Sequence, residues 1–303
     1  MKLKELIDLS KNDLQKRNIQ DSNIKIKLLI EYVFNIKKDQ IILNYDNEIK
    51  NDKILEFNSL LDKIKNGVPI QYIRNKQEFM GLNFYVNDKV LIPQPDTETL
   101  VEEVIKYCNM IRKNNYEISV ENYKENNNKD YSRNNNKKIK ILDLCTGSGI
   151  IGISLCKYLE NVEMYASDIS TEALDIARKN AGDNNVSVKF IQSDMFDKIE
   201  ENEFNIIVSN PPYIESSVIN NLSREVQNEP KLALDGGEDG LKFYKIIAEN
   251  ANKYLNENGI IFLEIGYDQK EKVEKIFSDY NYYSDIKCIK DLSGNDRVII
   301  IKK

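Results

Sequence analysis

The chain of 303 residues contains no histidine. That absence removes imidazole general-base chemistry, histidine-containing triads and most zinc catalysis. Cysteine is scarce, and Cys108, Cys145, Cys156 and Cys288 form no C-x-x-C pair. The spacing argues against a zinc site or a disulfide framework and fits a reducing compartment, so no resident metal is expected. No apolar run approaches the ~20 residues of a membrane span. The opening Met1-Lys2-Leu3-Lys4-Glu5 also lacks a signal peptide's apolar segment, so the expectation is a cytoplasmic protein without a membrane partner. Positive charge is in deficit: 43 Lys and Arg face 49 Asp and Glu, a net charge of −6. No global field therefore draws the chain to nucleic acid, and no direct nucleic-acid binding is expected. What is present, 41% apolar and 30% charged residues over this length, suits one large soluble domain with a smaller companion.

Residues 1–68 carry aliphatics at helical spacing: Leu3, Leu6, Ile7 and Leu14, then Ile26, Leu29, Ile30 and Val33 behind an Asp21-Ser22 cap, then Leu55 to Ile64. They predict a small helical bundle closed by Asn66-Gly67. From 69 to 93 the pattern turns to short strands: Gln71-Tyr72-Ile73, Glu78-Phe79-Met80, Leu82 to Val86 and Val90-Leu91-Ile92 predict a β-hairpin linker. A helix with Leu100, Val101, Val104 and Ile105 follows, capped by Asp96 or Thr97. Residues 109–138, rich in Asn, Lys, Glu and Tyr, read as a mobile surface insertion. Strands then alternate with helices. Strands are predicted at Ile139–Leu144, Val162–Asp168, Val188–Ile191, Phe204–Val208 and Gly259–Ile265, with a closing antiparallel hairpin at 285–301. That alternation predicts a doubly wound α/β sheet, with the fourth strand beside the first.

The fourth strand ends in Asn210-Pro211-Pro212-Tyr213. Two prolines forbid further ladder pairing and fix φ, so the chain leaves the sheet at a stiff corner. The corner offers one carboxamide, proline carbonyls and an aromatic ring. Asn210 Oδ1 and a proline carbonyl suit the two hydrogens of a planar NH2 group, with Tyr213 packed on the group that bears it. A plain proline-stiffened turn has the same composition. Position favours the functional reading, because ligands of open α/β sheets bind at the carboxyl ends of strands.

The first three strand ends point to a nucleoside. Gly147 and Gly149 admit close backbone approach at a helix N-terminus. Asp168, about 20 residues on, is placed to hold ribose hydroxyls. Asp194 is placed to meet an adenine edge, with Met195 and Phe196 available for stacking. Each aspartate alone could be a helix cap or a solvated loop charge; the three successive positions together carry the signal. Gly147-Ser148-Gly149-Ile150-Ile151-Gly152 also matches the dinucleotide pattern G-x-G-x-x-G. Against a dinucleotide, Asp143 just before the turn would repel a pyrophosphate but attract a methionyl ammonium. No histidine is available for hydride chemistry, and Asn210 occupies the strand end that an amine-methylating site needs. S-Adenosylmethionine is the favoured cofactor.

The chain resembles the release factor glutamine N5-methyltransferases. The motifs that carry the resemblance span nearly the whole length. They are Pro69-Ile70-Gln71-Tyr72-Ile73, Glu78-Phe79-Met80-Gly81, Leu91-Ile92-Pro93 with Asp96-Thr97-Glu98, Asp143 to Gly149, Asn210 to Tyr213, Glu229-Pro230, Asp239-Gly240-Leu241, Glu264-Ile265-Gly266 and Asp291 to Val298. Asn-Pro-Pro-Tyr alone is shared with adenine and guanine amino methyltransferases; the flanking segments separate this family from them. The resemblance implies a Rossmann-like, seven-stranded methyltransferase domain over 94–303, with its last strand pair antiparallel, and an N-terminal helical domain that helps grip the substrate. It further implies that Cys145, Thr146, Gly147, Ser148 and Gly149 wrap the methionyl part of the cofactor, Asp168 holds its ribose and Met195 lies against its adenine. Asn210, Pro211, Pro212 and Tyr213 would bind the glutamine amide. The implied reaction is methylation of the glutamine of the Gly-Gly-Gln motif in peptide chain release factors. Three positions depart from the family pattern: Cys145 in place of glycine, Gln94 in place of arginine, and Met195 where an aromatic is common.

Two other functions compete. An N6-adenine DNA methyltransferase would present the same planar amino group to the corner, but the acidic balance opposes it. A nucleotide-binding regulator without catalysis leaves the Asn210 corner without a purpose.

Overall fold

The computed structural model describes residues 1–126 and 138–303. The chain divides into two compact units: Met1–Lys76 with Leu222–Glu229, and Gln77–Asn221 with Pro230–Lys303.

The first unit is helical: α1 (Leu3–Lys16), α2 (Ser22–Phe34), α3 (Asn51–Lys65) and α4 (Ile70–Arg74). Leu3, Leu6, Leu14, Ile26, Leu29, Ile30, Phe57, Leu61 and Ile64 form its core. Most are the aliphatics that the spacing predicts, each buried side chain contributing about 1.5–3 kcal/mol; on α3, however, Phe57 is buried and the expected Leu55 is exposed. Helix α3 ends at Asn66, followed by Gly67 at φ +89°. A side chain at Gly67 would also collide, since a Cβ would lie 2.7 Å from Cβ of Arg224. Asp21 stands at the N-cap of α2 but takes left-handed geometry and makes no side-chain cap bond. Gln71-Tyr72-Ile73 forms helix α4, not the expected strand. The reason is legible in burial: Ile70 and Ile73 are both buried, and a spacing of three puts them on one face of a helix but on opposite faces of a strand. The later segment Leu222–Glu229 belongs to this unit through an ion pair of Lys25 with Glu225 and a bond from Asn228 Nδ2 to the Gly67 carbonyl (3.1 Å).

The second unit opens with a two-stranded hairpin, β1 (Gln77–Phe79) and β2 (Leu82–Phe84); Val90–Ile92, expected as a strand, is irregular. Helix α5 (Thr97–Asn126) runs well into the stretch expected to be an insertion, because 97–126 contain no glycine or proline to stop it. The remainder of that stretch, residues 127–137, lies outside the described residues. Then come β3 (Ile139–Leu144), α6 (Ile150–Tyr158), β4 (Val162–Asp168), α7 (Thr171–Asp183), β5 (Lys189–Gln192) and β6 (Phe204–Ser209). Beyond the short α8 (Arg224–Gln227, in the first unit) and α9 (Lys231–Leu234) lie α10 (Lys242–Tyr254), β7 (Leu255–Glu264), α11 (Lys270–Ser278), β8 (Ser284–Lys290) and β9 (Asp296–Lys302).

The seven strands are ordered β5-β4-β3-β6-β7-β9-β8, parallel through β7 and antiparallel at β7–β9 and β9–β8. Strand β6 does lie beside β3, as expected for a doubly wound sheet. Alternation splits the sheet into two apolar faces. Ile141, Ile206, Val208, Ile260 and Phe262 pack with Leu100, Val101 and Val104 of α5. Leu142, Leu144, Ile207, Ile261 and Leu263 pack with Tyr244, Ile247 and Ala248 of α10. Among the described residues no helix is long and apolar enough to cross a membrane.

Candidate active site

A cavity of about 300 Å³ opens at the carboxyl ends of β3, β4 and β6. Of the predicted site residues, Cys145, Gly147, Asp168, Asp194, Met195, Asn210 and Pro212 line it. Asp143, Thr146, Ser148, Gly149, Pro211 and Tyr213 do not; they support the wall from behind or beside it. Lining residues outside the predicted site include the apolar Leu232, Ala233 and Phe243.

The turn after β3 is shaped by carboxylates that take backbone donors. Asp143 Oδ2 accepts from the Thr146 hydroxyl (2.6 Å) and from the Gly152 N–H (3.0 Å). Its Oδ1 is buried without a hydrogen-bond partner. Burial pushes the Asp143 carboxyl up to about 7, against the downward pull of Thr146 and Gly152. Asp168 Oδ2 accepts from Gly147 N–H (2.8 Å) and Oδ1 from Ser170 N–H (2.9 Å), while burial holds its pKa above the ordinary carboxylate value. Gly149, at φ +84°, sits where a Cβ would lie 2.8 Å from Ile153 Cδ1. Cys145 itself takes φ +58°, the left-handed region in which an L-residue is strained. The residue that departs from the family's glycine thus adopts the conformation that glycine would adopt freely. Its Sγ lies 3.7 Å from Met195 Sδ.

Asp194 is exposed at the rim and Met195 is buried in the wall. Phe196, expected to be available for stacking, packs instead on Tyr254 with ring centroids 4.8 Å apart. Gln94 is exposed, with its amide turned back on the Ile92 carbonyl (3.1 Å).

At the other end of the cavity, the corner is clamped from outside. Gly236 and Gly240 allow this: a Cβ on the first would come within 2.7 Å of Tyr213 Cα, and on the second within 2.5 Å of the Tyr213 carbonyl. Gln269 Nε2 donates to that carbonyl (2.9 Å), and the Ile214 N–H to Leu234 O (3.0 Å). The Asn210 side chain is held separately, Nδ2 donating to Thr97 Oγ1 at 3.2 Å. Behind Thr97 lies Glu264, at the end of β7, with the Arg297 guanidinium nearby in ion pairs with Asp291 (3.1 Å) and Asp96 (3.2 Å). Among the described residues, no group of three or more His, Cys, Asp or Glu is placed to hold a metal.

Comparison with known proteins gives the family. Residues 132–238 match the methyltransferase small domain, and residues 5–74 match the PrmC N-terminal domain. The release factor glutamine methyltransferase of Clostridium botulinum is 40% identical over 310 residues, covering 100% of each chain. The chain belongs to the release factor glutamine methyltransferase family. The enzyme of that name from Agrobacterium fabrum is 34% identical, covering 96% of this chain and 93% of its own. Among solved structures, the hMettl16 catalytic domain matches with a TM-score of 0.52 at 13% identity, covering 84% of this chain and 81% of its own. That likeness is one of fold.

In this methyltransferase two supports escaped the sequence reading. Asn180 is fully buried; its Oδ1 accepts from Tyr85 N–H (2.7 Å), and its Nδ2 donates to the carbonyls of Tyr85 (3.0 Å) and Ser148 (2.9 Å). It ties the segment after the hairpin to the glycine turn. Of the two cap candidates, Asp96 and Thr97, the Thr97 hydroxyl accepts from Asn210 Nδ2. The available signal was register: β6 pairs with β7 at Ser209 and Leu263, so the next residues, Asn210 and Glu264, emerge side by side.

Proposed function

We propose that this methyltransferase transfers a methyl group to the side-chain amide nitrogen of the glutamine in the Gly-Gly-Gln loop of peptide chain release factors, with S-adenosylmethionine as donor. The residues present suit that donor. Asp168 and Asp194 line the cavity, an acidic wall that suits a cationic sulfonium donor and disfavours a pyrophosphate, while the buried Asp143 holds the turn from behind. Asp168 reaches the cavity with each oxygen already holding one backbone N–H, which leaves lone pairs for ribose hydroxyls. Cys145 to Gly149 would hold the methionyl part, and Asp194 and Met195 the adenine. S-Adenosylmethionine, when bound, supplies a methyl group already activated on a sulfonium.

An amide nitrogen is a poor nucleophile because its lone pair is delocalised into the carbonyl. Asn210 Oδ1 and a proline carbonyl of the corner accept its two N–H bonds, which raises electron density on nitrogen and fixes the lone pair's direction. Tyr213 packs beside the flat group. The protein's contribution is alignment and stabilisation of the positive charge that develops on nitrogen. The surplus proton leaves to water.

One observation carries the reading: Asn210 lines the cavity with Nδ2 already engaged by Thr97, so Oδ1 is the atom left to accept from substrate. The test is transfer of labelled methyl to a purified release factor, wild type against a variant whose loop glutamine is replaced. Label in the wild type alone is the expected result. Label retained by the variant would redirect the substrate, and label in duplex adenine would favour the DNA-methylating alternative.

A further inference from the structure

We propose that Glu264 is a positioning residue that, through Thr97, fixes which way round the Asn210 carboxamide faces, leaving Oδ1 toward the cavity. The inference rests on the amide-binding reading above. A primary carboxamide is nearly symmetric in shape, and its terminal torsion has two comparable wells. Turned one way, Asn210 offers an acceptor to an incoming NH2 group. Turned the other, it offers donors, which repel an amide NH2 and suit a carboxylate instead. The corner therefore recognises glutamine only if something holds the flip.

The Thr97 hydroxyl does not decide the direction alone, because it both donates and accepts. It accepts from Asn210 Nδ2 at 3.2 Å. To do so it must send its own proton elsewhere, and the β6–β7 register sets the buried Glu264 carboxyl beside Asn210 on the face that α5 covers, where Thr97 and Asn210 both pull its pKa down against burial. Thr97 and Glu264 are only 1% and 2% exposed, so bulk water does not substitute. In its ionised form, which Thr97, Arg297 and Asn210 favour against burial, this carboxylate only accepts. It therefore polarises the chain in one direction, from the Asn210 amide to the Thr97 hydroxyl to Glu264. Burial and, after it, the Glu264 carboxyl also push the Tyr213 hydroxyl's pKa up, so one carboxyl acts on both polar side chains of the corner.

The sheet makes the arrangement possible. Residues 206, 208 and 210 of the β6 segment share a face with 260, 262 and 264 of β7, and that face is covered by α5, which begins at Thr97. Burial pushes the Glu264 carboxyl up to about 7, while Thr97, Arg297 and Asn210 pull it down. Its Oε2 has no hydrogen-bond partner among the described residues. Arg297, the nearby cation, is bonded to Asp291 and Asp96, so Glu264 is not consumed in an ion pair.

The test is a double-mutant cycle. Glu264→Gln keeps the shape but replaces an acceptor-only group with one that presents either end. Turnover and KM for release factor, cofactor Kd and the thermal midpoint are measured for Glu264→Gln, Asn210→Ala and the double variant. The expected result is a loss of about tenfold or more in kcat for Glu264→Gln, with cofactor Kd within about twofold. In the Asn210→Ala background the same change should cost nothing further. Thr97→Ser, which keeps the hydroxyl, should stay within about threefold of wild type, while Thr97→Val should match Glu264→Gln. Wild-type kcat in Glu264→Gln, or a loss that multiplies with that of Asn210→Ala, overturns the inference and leaves the amide-binding reading standing. Wild-type turnover in Asn210→Ala alone overturns that reading and the inference together.

Discussion

The two ends of the cavity are held by different means. At the turn after β3, precision comes from backbone conformation: Cys145, Gly147 and Gly149 all have positive φ, and Asp143 and Asp168 spend oxygens on backbone N–H groups. At the Asn210 corner, prolines and the close approach of Gly236 and Gly240 fix the backbone, but the decisive group is a side chain oriented by other side chains. A cradle built from backbone tolerates changes in side-chain identity. A corner whose key side chain is held by another side chain does not. In this methyltransferase, affinity for the cofactor and competence for transfer should therefore fail separately.

The largest expected effect is at the corner. Asn210→Ala should lower turnover at least ~100-fold while leaving the cofactor dissociation constant nearly unchanged; steady-state kinetics paired with cofactor titration checks both halves. Asp168→Ala should do the reverse, weakening cofactor binding about tenfold or more, with turnover largely recovered at saturating cofactor. If either variant lost both properties together, the two ends would not be separable.

A smaller effect concerns pH. Asp143 titrates near 4 in an unfolded chain and at about 7 in the folded protein. The folded state therefore binds this proton more tightly, and the resulting stability is full below about pH 4 and is lost as pH rises through 7. Denaturant unfolding without cofactor should show wild type losing stability relative to Asp143→Asn across that window, with a flat difference above it. A difference that is flat throughout would remove Asp143 as the group responsible. The smallest effect is at Cys145. Glycine there relieves left-handed strain of roughly 1–2 kcal/mol but forfeits the contact with Met195, so Cys145→Gly should stabilise by less than about 1 kcal/mol. Clear destabilisation would mean that the thiol's packing outweighs the strain.

The same contrast explains what could be read from the sequence. The glycine turn, the aspartates ending β4 and following β5, and the Asn-Pro-Pro-Tyr corner are local signals, and their strand order follows from connection rules. The Thr97–Asn210–Glu264 arrangement joins residues from three distant segments: the β6–β7 register sets Asn210 beside Glu264, and the packing of α5 on that face of the sheet brings in Thr97. Local reasoning offers Thr97, with Asp96, only the nearest duty of capping a helix. Two further differences were physical competitions. Ile70 and Ile73 sit in a short stretch whose residue types suit a strand, but burying both on one side required a helical turn. From Asn109 onward the polar composition suggested a loop, yet nothing in 97–126 interrupts a helix already under way.

The most direct measurement is peptide-level mass spectrometry of a release factor after incubation with this protein and S-adenosylmethionine. The account predicts a single added methyl on the side-chain nitrogen of the loop glutamine, with its yield collapsing in Asn210→Ala. A methyl group on any other residue, or an equal yield from Asn210→Ala, would contradict it.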